Sequence, residues 1–302
     1  MTTAAKLVQL MPMRLRWTQE GRWASRRVSG RAGAPAGGDD VRCSAARRRP
    51  PVVLVHGFRV LSQDSQEASL DTLEAALRRR GFASHRFAYR PRDDTVQRHA
   101  AALADFILGV PDVRRAGAVG LVSHSFGGPL IRAALNTPRW KREEAHSPVA
   151  VRCAMLAPPS RGSALARALL PTAEGGMWGS AVNVFSQTVL GTKAGLELAS
   201  TDPDASDRVF GLLPDYCEAL VVAGDVGQAN PLLEGPSDGV VTVAETVLDS
   251  PHSHLTLTAP HNLIAVHPAA VRAVLAFLEC EPVPGARHIE NSRHKEGQSE
   301  SE

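Results

Sequence analysis

The 302-residue sequence has no long apolar run and only four cysteines. Its longest apolar runs, such as 51–55 and 219–223, are far shorter than the roughly 18 residues of a membrane span, so we predict no integral membrane segment. The cysteines lie far apart without a C-x-x-C pair, which argues against a zinc site and against a disulfide framework. We therefore expect a reducing, cytoplasmic location.

A strong excess of charge is also absent, because the formal net charge is only +3. Residues 1–49 hold eleven basic and three acidic residues, whereas the rest of the chain holds 23 basic and 28 acidic ones. A mildly acidic body does not suit a nucleic-acid partner. The Arg-rich segment 1–49 is predicted to be disordered, because its composition cannot bury enough apolar surface. An acid-poor, Arg-rich start also resembles an organellar transit peptide, which would place the protein in an organelle.

Between residues 50 and 280, short β-branched apolar runs alternate with helical patterns. This alternation predicts an α/β fold with a doubly wound, mainly parallel sheet of about six core strands. The strands are predicted at about 51–56, 84–89, 117–122, 149–156, 219–223 and 254–258. The long stretch 157–218 has no clear strand and is interpreted as a lid-like insertion in the domain. The polar tail 281–302 is predicted to be disordered.

The most specific local signal is VGLVSHSFGGPLI at 119–131, an apolar strand followed by a tight turn and a helix. A serine at such a turn, here Ser125, projects its hydroxyl above the carboxyl edge of the sheet. The residues two before and two after it must be small, and Ser123 and Gly127 meet that need in an S-x-S-x-G version of the usual G-x-S-x-G. A simpler interpretation is that Ser123 and Ser125 only cap the helix.

A second signal, VLVHGF at 53–58, ends the first core strand. Acyl transfer needs two backbone N–H groups directed at the oxyanion of the tetrahedral intermediate. Phe126, directly after the serine, is a candidate for one amide, and Phe58 is a candidate for the other. His56 would then organise the loop without transferring a proton. Taken alone, the stretch is equally typical of a strand that ends in a glycine turn.

A general base and an acid are expected further along the chain, in the order Asp then His. Two acids compete for the role: Asp225, directly after the strand at 219–223, and Asp238, within GPSDGVV at 235–241. His261 lies in a loop before the last helix and is the candidate base, because a serine hydroxyl becomes a good nucleophile only when an imidazole accepts its proton. The alternatives to this histidine are His252, His254 and His267.

Together these stretches resemble an α/β-hydrolase of the lipase/esterase type, similar to small bacterial-style lipases. The matching stretches, in the family's order, are VLVHGF at 53–58, LVSHSFGGPLIR at 121–132, MLAPPSRGS at 155–163, NPLLEGPSDGVVTVAET at 230–246 and APHNLI at 259–264. The resemblance implies that Asp238 is the acid and His261 the base. The chain departs from the family at Ser123, which replaces a glycine, and no strand is recognised before residue 50. The second departure fits a minimal version of the fold.

The resemblance implies a serine hydrolase that cleaves carboxylic esters through an acyl-Ser125 intermediate. His261 would act as base and then acid, Asp238 would orient it, and the amides of Phe58 and Phe126 would bind the oxyanion. The expected partner is a small-molecule acyl ester, and no metal or organic cofactor is expected. An acyltransferase that uses the same acyl-enzyme is the alternative. A non-catalytic binding module is a weaker hypothesis, because it would not require all three side chains.

Overall fold

The computed structural model describes residues 14–17, 23–26, 49–58, 65–91, 93–169, 192–201, 206–228 and 230–290. The strands are β1 (Arg14–Trp17), β2 (Trp23–Arg26), β3 (Val52–Val55), β4 (Ser84–Phe87), β5 (Ala118–His124), β6 (Ala150–Leu156), β7 (Cys217–Gly224), β8 (His252–Leu257) and β9 (Arg287–Ile289). The helices are α1 (Ser65–Arg79), α2 (Val96–Gly109), α3 (Pro111–Ala116), α4 (Gly127–Leu135), α5 (Pro138–His146), α6 (Ala164–Leu169), α7 (Lys193–Ser200), α8 (Ser206–Phe210), α9 (Val243–Thr246) and α10 (Pro268–Leu278).

The main sheet has seven strands in the order β4-β3-β5-β6-β7-β8-β9. Strands β3 to β8 run parallel, and β9 pairs antiparallel with β8. The predicted parallel α/β sheet is therefore confirmed, with the six predicted strands in place.

Both faces of this sheet are covered, because successive residues of a strand point to opposite sides. In β3, Val53 and Val55 belong to the core beneath α2, α4 and α5. Val52 and Leu54 belong to the core beneath α1 and α10. A strand with apolar residues at every position is therefore required here, which explains the uninterrupted run in the sequence.

The chain changes its winding direction between β3 and β5. From β3 it first moves outward to the edge strand β4, and then returns to add β5 on the other side of β3. Loops at the carboxyl ends of such neighbouring strands diverge and leave a crevice, which is where ligands bind in open α/β sheets. The loops after β3 and β5 are the ones that carry the VLVHGF and SHSFGG signals.

The prediction of a disordered tail from residue 281 is wrong for residues 287–289, which form β9. The backbone of β9 pairs with the exposed edge of β8, with His252 opposite Ile289. Val283 and Ala286 pack against the core on the α1 and α10 side. A three-residue polar strand has no apolar alternation, so its pairing is not visible in the sequence. Residues 291–302 lie outside the described ranges.

The basic segment was also predicted to be disordered, and most of it lies outside the described ranges. The described part forms an antiparallel pair, β1 with β2, in which Trp17 lies opposite Trp23. Arg49, at the end of the segment, forms an ion pair with Glu279. The strand pair departs from the expectation of disorder. Its two tryptophans are residues that favour strands.

The predicted insertion contains three helices, α6, α7 and α8, in its described parts. Residues 170–191 and 202–205 of it lie outside the described ranges. In the part of the chain that the structure covers, no helix combines the length and hydropathy of a membrane span.

Candidate active site

Ser125 lies on the sharp turn between β5, which ends at His124, and α4. Its φ angle is 54°, in the left-handed region that non-glycine residues rarely adopt. Two backbone hydrogen bonds fix this turn: the Ser125 N–H donates to the Leu156 carbonyl oxygen at 2.8 Å, and the Gly128 N–H donates to the Ser125 carbonyl oxygen at 2.9 Å. Strained backbone of this kind is concentrated at functional sites.

The two small residues of the motif do face each other across the turn. A Cβ atom added to Gly127 would lie 3.1 Å from Ser123 Cβ and 2.5 Å from the carbonyl oxygen of Val55. A side chain at 127 would clash with the backbone carbonyl oxygens of Val55 and His56, so glycine is required there. The serine side chain at 123 fits because Gly127, which faces it, has no side chain.

The simpler interpretation, that these serines cap α4, does not describe this turn. The N-cap residue of α4 is Phe126, which provides no side-chain capping hydrogen bond. The hydroxyl of Ser123 has no hydrogen-bond partner among the described residues. The hydroxyl of Ser125 is instead hydrogen-bonded to His261.

Three side chains from separate loops form one hydrogen-bonded chain. Ser125 Oγ lies 3.0 Å from His261 Nε2, and His261 Nδ1 lies 2.7 Å from Asp238 Oδ2. A carboxylate only accepts, so His261 Nδ1 carries a proton. When Nε2 carries none, it can accept from the serine hydroxyl. An imidazole in this tautomer can remove the serine proton.

Asp238 is held as a carboxylate although it is buried, with its side chain only 1% exposed. Burial by itself would raise the pKa of this carboxyl, but the charge and hydrogen bond of His261 and two backbone N–H groups outweigh it, so the pKa is lowered. The N–H groups of Val240 and Val241 donate to Oδ1 at 2.9 and 2.7 Å. Oδ1 thus accepts hydrogen bonds from the backbone of its own loop, and Oδ2 accepts one from the His261 imidazole.

The loops that carry Asp238 and His261 meet at the carboxyl end of β7. The His261 N–H donates to the Asp238 carbonyl oxygen at 3.0 Å. A Cβ atom added to Gly224 would lie 2.4 Å from the Ala259 carbonyl oxygen and 2.7 Å from Asp238 Cβ. The absence of a side chain at the end of β7 therefore lets both loops approach.

The competing acid, Asp225, has a different environment. Its Oδ1 accepts a hydrogen bond at 2.8 Å from the Gly227 N–H, two residues further along. This is the local turn expected of an aspartate after a strand. The carboxylate that the structure brings to His261 is that of Asp238.

The three alternative histidines also have other partners. His252 Nδ1 lies 2.8 Å from the Ser250 carbonyl oxygen, and His254 Nε2 lies 2.9 Å from Thr246 Oγ1. His267 caps α10, since its side chain accepts from the Ala269 N–H. None of these hydrogen bonds reaches the serine or the aspartate of the chain described above.

The two candidate oxyanion amides belong to neighbouring loops. The rings of Phe58 and Phe126 pack with their centroids 4.5 Å apart. A Cβ atom added to Gly57 would lie 2.7 Å from Ser125 Cβ and 3.1 Å from the Phe126 nitrogen. Among the described residues, neither candidate amide has a hydrogen-bond acceptor. The amides of Phe58 and Phe126 therefore stay candidate donors for an oxyanion.

His56 and Tyr89 lock the loop after β3. The hydroxyl of Tyr89 donates to the His56 carbonyl oxygen at 2.7 Å, and the two rings stack with centroids 4.6 Å apart. Burial raises the pKa of Tyr89 well above its usual value, so the hydroxyl keeps its proton for this hydrogen bond. The ring of His56 also contacts its own loop, since Nδ1 lies 2.8 Å from the Gly57 carbonyl oxygen.

No group of three or more His, Cys, Asp or Glu side chains in the described ranges is arranged to hold a metal ion.

Comparisons with solved structures identify the architecture. The lipase BlEst2 of Bacillus licheniformis in mature form superposes with a TM-score of 0.58 at 21% identity, over 80% of this chain and 96% of that chain. Its propeptide form gives 0.59 at 21%, over 82% of this chain and 53% of that chain. The metagenomic carboxyl esterase MGS0156 gives 0.50 at 19%, over 79% and 71%.

The chain has the α/β-hydrolase fold. At these identities the likeness establishes the fold alone. No family model matches the sequence, and no curated protein sequence matches it.

Three side chains at or near this site are not singled out by the sequence. His124 lies inside the serine motif but occupies one of its unspecified positions. Tyr89 follows β4 as a single tyrosine, and only the pairing of β4 with β3 brings it to the loop. Glu245 is the N3 residue of a capping box that starts at Thr242, a pattern that the sequence does contain as T-x-x-E. Its contact with α6 is tertiary and has no local signal.

Proposed function

We propose that this protein is a serine hydrolase that cleaves carboxylic esters through an acyl-Ser125 intermediate. The observation that carries the proposal is the continuous hydrogen-bonded chain from Ser125 Oγ through His261 to Asp238, with distances of 3.0 and 2.7 Å. A serine that only stabilised a turn would need neither an imidazole at its hydroxyl nor a buried carboxylate behind that imidazole.

In the first half-reaction, Ser125 Oγ attacks the ester carbonyl carbon while His261 Nε2 takes the hydroxyl proton. The carbonyl π electrons move onto its oxygen, and the amides of Phe58 and Phe126 donate to that oxyanion. When the intermediate collapses, the bond to the alcohol oxygen breaks, and His261 returns the proton to the leaving alcohol. The acyl group then remains on the serine.

In the second half-reaction, water replaces the alcohol. His261 removes a proton from the water as its oxygen attacks the acyl carbon, and the second tetrahedral intermediate forms in the same pocket. Its collapse releases the carboxylic acid and returns the proton to Ser125. Asp238 remains ionised throughout and stabilises the imidazolium that forms in each half.

The direct test is hydrolysis of p-nitrophenyl butyrate by the full chain and by three variants. Ser125→Ala is expected to lose turnover to the background rate. Asp238→Asn is expected to lower kcat by about 10³- to 10⁴-fold, because an amide at this position stabilises the wrong imidazole tautomer. Asp225→Asn is the matched control, since its carboxylate contacts a turn, and kcat is expected to stay within about threefold.

The outcomes separate the assignments. Full activity in Ser125→Ala would contradict the proposal, and a larger loss in Asp225→Asn than in Asp238→Asn would transfer the acid role. Released butyrate is quantified with and without an added alcohol. Preferential transfer to the alcohol would identify an acyltransferase with the same acyl-enzyme.

A further inference from the structure

His124, the residue directly before the proposed nucleophile, contacts the backbone of the proposed base. It is only 2% exposed. Its Nε2 atom lies 2.9 Å from the carbonyl oxygen of His261, and the two imidazole rings lie with centroids 4.9 Å apart. The position is an unspecified one in the serine motif, so the motif itself assigns it no role.

The ring of His124 is neutral. Burial lowers its pKa to about 3, with a further contribution from the nearby His261. The other facing groups are Asp238, which acts in the opposite direction, and His56, which lowers the pKa further. A carbonyl oxygen only accepts, so the single ring proton of His124 lies on Nε2 and is donated to His261. The contact therefore adds a donor without a second positive charge beside the proposed base.

This contact completes a set of four hydrogen bonds that hold His261. Its backbone N–H donates to the Asp238 carbonyl oxygen at 3.0 Å, and its carbonyl oxygen accepts from His124. Its ring binds Asp238 at Nδ1 and Ser125 at Nε2. Because His124 is bonded covalently to Ser125, the contact links the backbone of the base directly to the end of the strand that carries the nucleophile.

We propose that His124 is a positioning residue, which holds the His261 loop so that its imidazole stays in line with the Ser125 hydroxyl. This inference rests on the proposed function. His261 lies in a loop, and its ring position depends on where its backbone is held. A displacement of about 1 Å at reacting groups can cost on the order of 100-fold in rate.

A residue that only fills space at 124 would be replaceable by any side chain of similar size. A positioning residue must instead present a donor at the reach of the imidazole Nε2. Glutamine and methionine have nearly the same length and shape, but only glutamine carries N–H donors at its end. His124→Gln and His124→Met therefore form a matched pair that separates the hydrogen bond from the packing.

The experiment measures kcat and KM for p-nitrophenyl butyrate in the wild-type chain and in this pair, with urea unfolding to verify folding. His124→Met is expected to lower kcat by about 30- to 100-fold with KM within about threefold, because the loss acts on alignment and not on binding. His124→Gln is expected to retain kcat within about fivefold. His146→Gln, on the exposed end of α5, is the control and is expected to match the wild type.

Wild-type protein that does not hydrolyse the ester would contradict the proposed function. If the wild type hydrolyses the ester but the folded glutamine and methionine variants have equal kcat values, the role of His124 is overturned. The proposed function is then left intact. If His124→Met does not fold, His124→Leu replaces it as the apolar partner. A folded His124→Gln that loses as much activity as the apolar variant would also overturn the inference.

Discussion

Ser123 stands opposite Gly127 at the turn, and its hydroxyl has no hydrogen-bond partner among the described residues. The residue is fully buried. A buried hydroxyl without a partner loses its hydration and gains no hydrogen bond in return. A serine therefore fits at 123, where the usual G-x-S-x-G pattern has a glycine, but its hydroxyl forms no hydrogen bond with a described residue.

We predict that Ser123→Ala raises the free energy of unfolding by up to about 1 kcal/mol, because it removes a buried polar atom and keeps the Cβ atom. The kcat for p-nitrophenyl butyrate should remain within about threefold of the wild type. Ser123→Val is the contrast: it adds bulk toward Gly127 and should lower stability by about 1–3 kcal/mol. Urea unfolding measures both changes in stability. A loss of stability in Ser123→Ala would contradict the conclusion that the Ser123 hydroxyl forms no stabilising hydrogen bond.

The loop that carries Asp238 is joined to the insertion through α9. The carboxylate of Glu245 accepts from the Thr242 N–H at 2.8 Å and from the Thr242 hydroxyl at 3.0 Å. Its other oxygen accepts from the Ala164 N–H at the start of α6. One buried side chain thus satisfies backbone donors from two elements, which fixes the first helix of the insertion against the acid loop.

Glu245→Gln tests this connection between elements. The amide has only one acceptor oxygen, so its NH₂ group must face a backbone donor that the carboxylate formerly accepted. A buried donor left unpaired costs about 1–3 kcal/mol, and we expect the free energy of unfolding to fall by that amount in urea titrations. Glu234→Gln, at an exposed position in the loop before the acid, should change stability by less than about 0.5 kcal/mol. Equal stability of both variants would show that α6 is held by other contacts.

At the scale of the whole molecule, several histidines are buried in neutral form. Burial lowers the pKa of His124 to about 3 and that of His254 to about 4, and it lowers the pKa of His252 as well. His254 Nδ1 has no hydrogen-bond partner among the described residues, so no acceptor stabilises a second ring proton there. In the unfolded chain these groups titrate near 6.5.

The fold should therefore lose stability in mild acid. Below about pH 6.5 the unfolded chain binds more protons than the native chain, so the free energy of unfolding falls as pH decreases, by about 1.4 kcal/mol per pH unit for each extra proton. Urea midpoints between pH 7.5 and 5.0 measure this slope. His254→Gln should flatten this slope by roughly one proton. A urea midpoint independent of pH would contradict the conclusion that burial lowers the pKa values of these histidines.

Local patterns were sufficient to predict the parallel sheet and the serine turn at its carboxyl edge, because buried strands and tight turns constrain sequence strongly. They left Asp225 and Asp238 both open as the acid, and only the resemblance favoured Asp238. The strand Arg287–Ile289 was not predictable from its own side chains, since it forms by backbone pairing with the edge of β8. Tyr89 and Glu245 were missed for a related reason. Tyr89 donates to the backbone carbonyl oxygen of His56, and Glu245 accepts from the backbone N–H of Ala164. Both backbone groups are distant in sequence and are present whatever the residue type.

The nucleophilic role of Ser125 is tested most directly by covalent labelling. The full chain is treated with a fluorophosphonate, digested with trypsin and analysed by mass spectrometry. Ser123 and Ser125 lie in the same tryptic peptide, so fragment ions must assign the modified residue. We predict one phosphonylated serine, Ser125, and no labelling of Ser125→Ala. A label on Ser123 or on any other serine, or labelling that persists in Ser125→Ala, would contradict it.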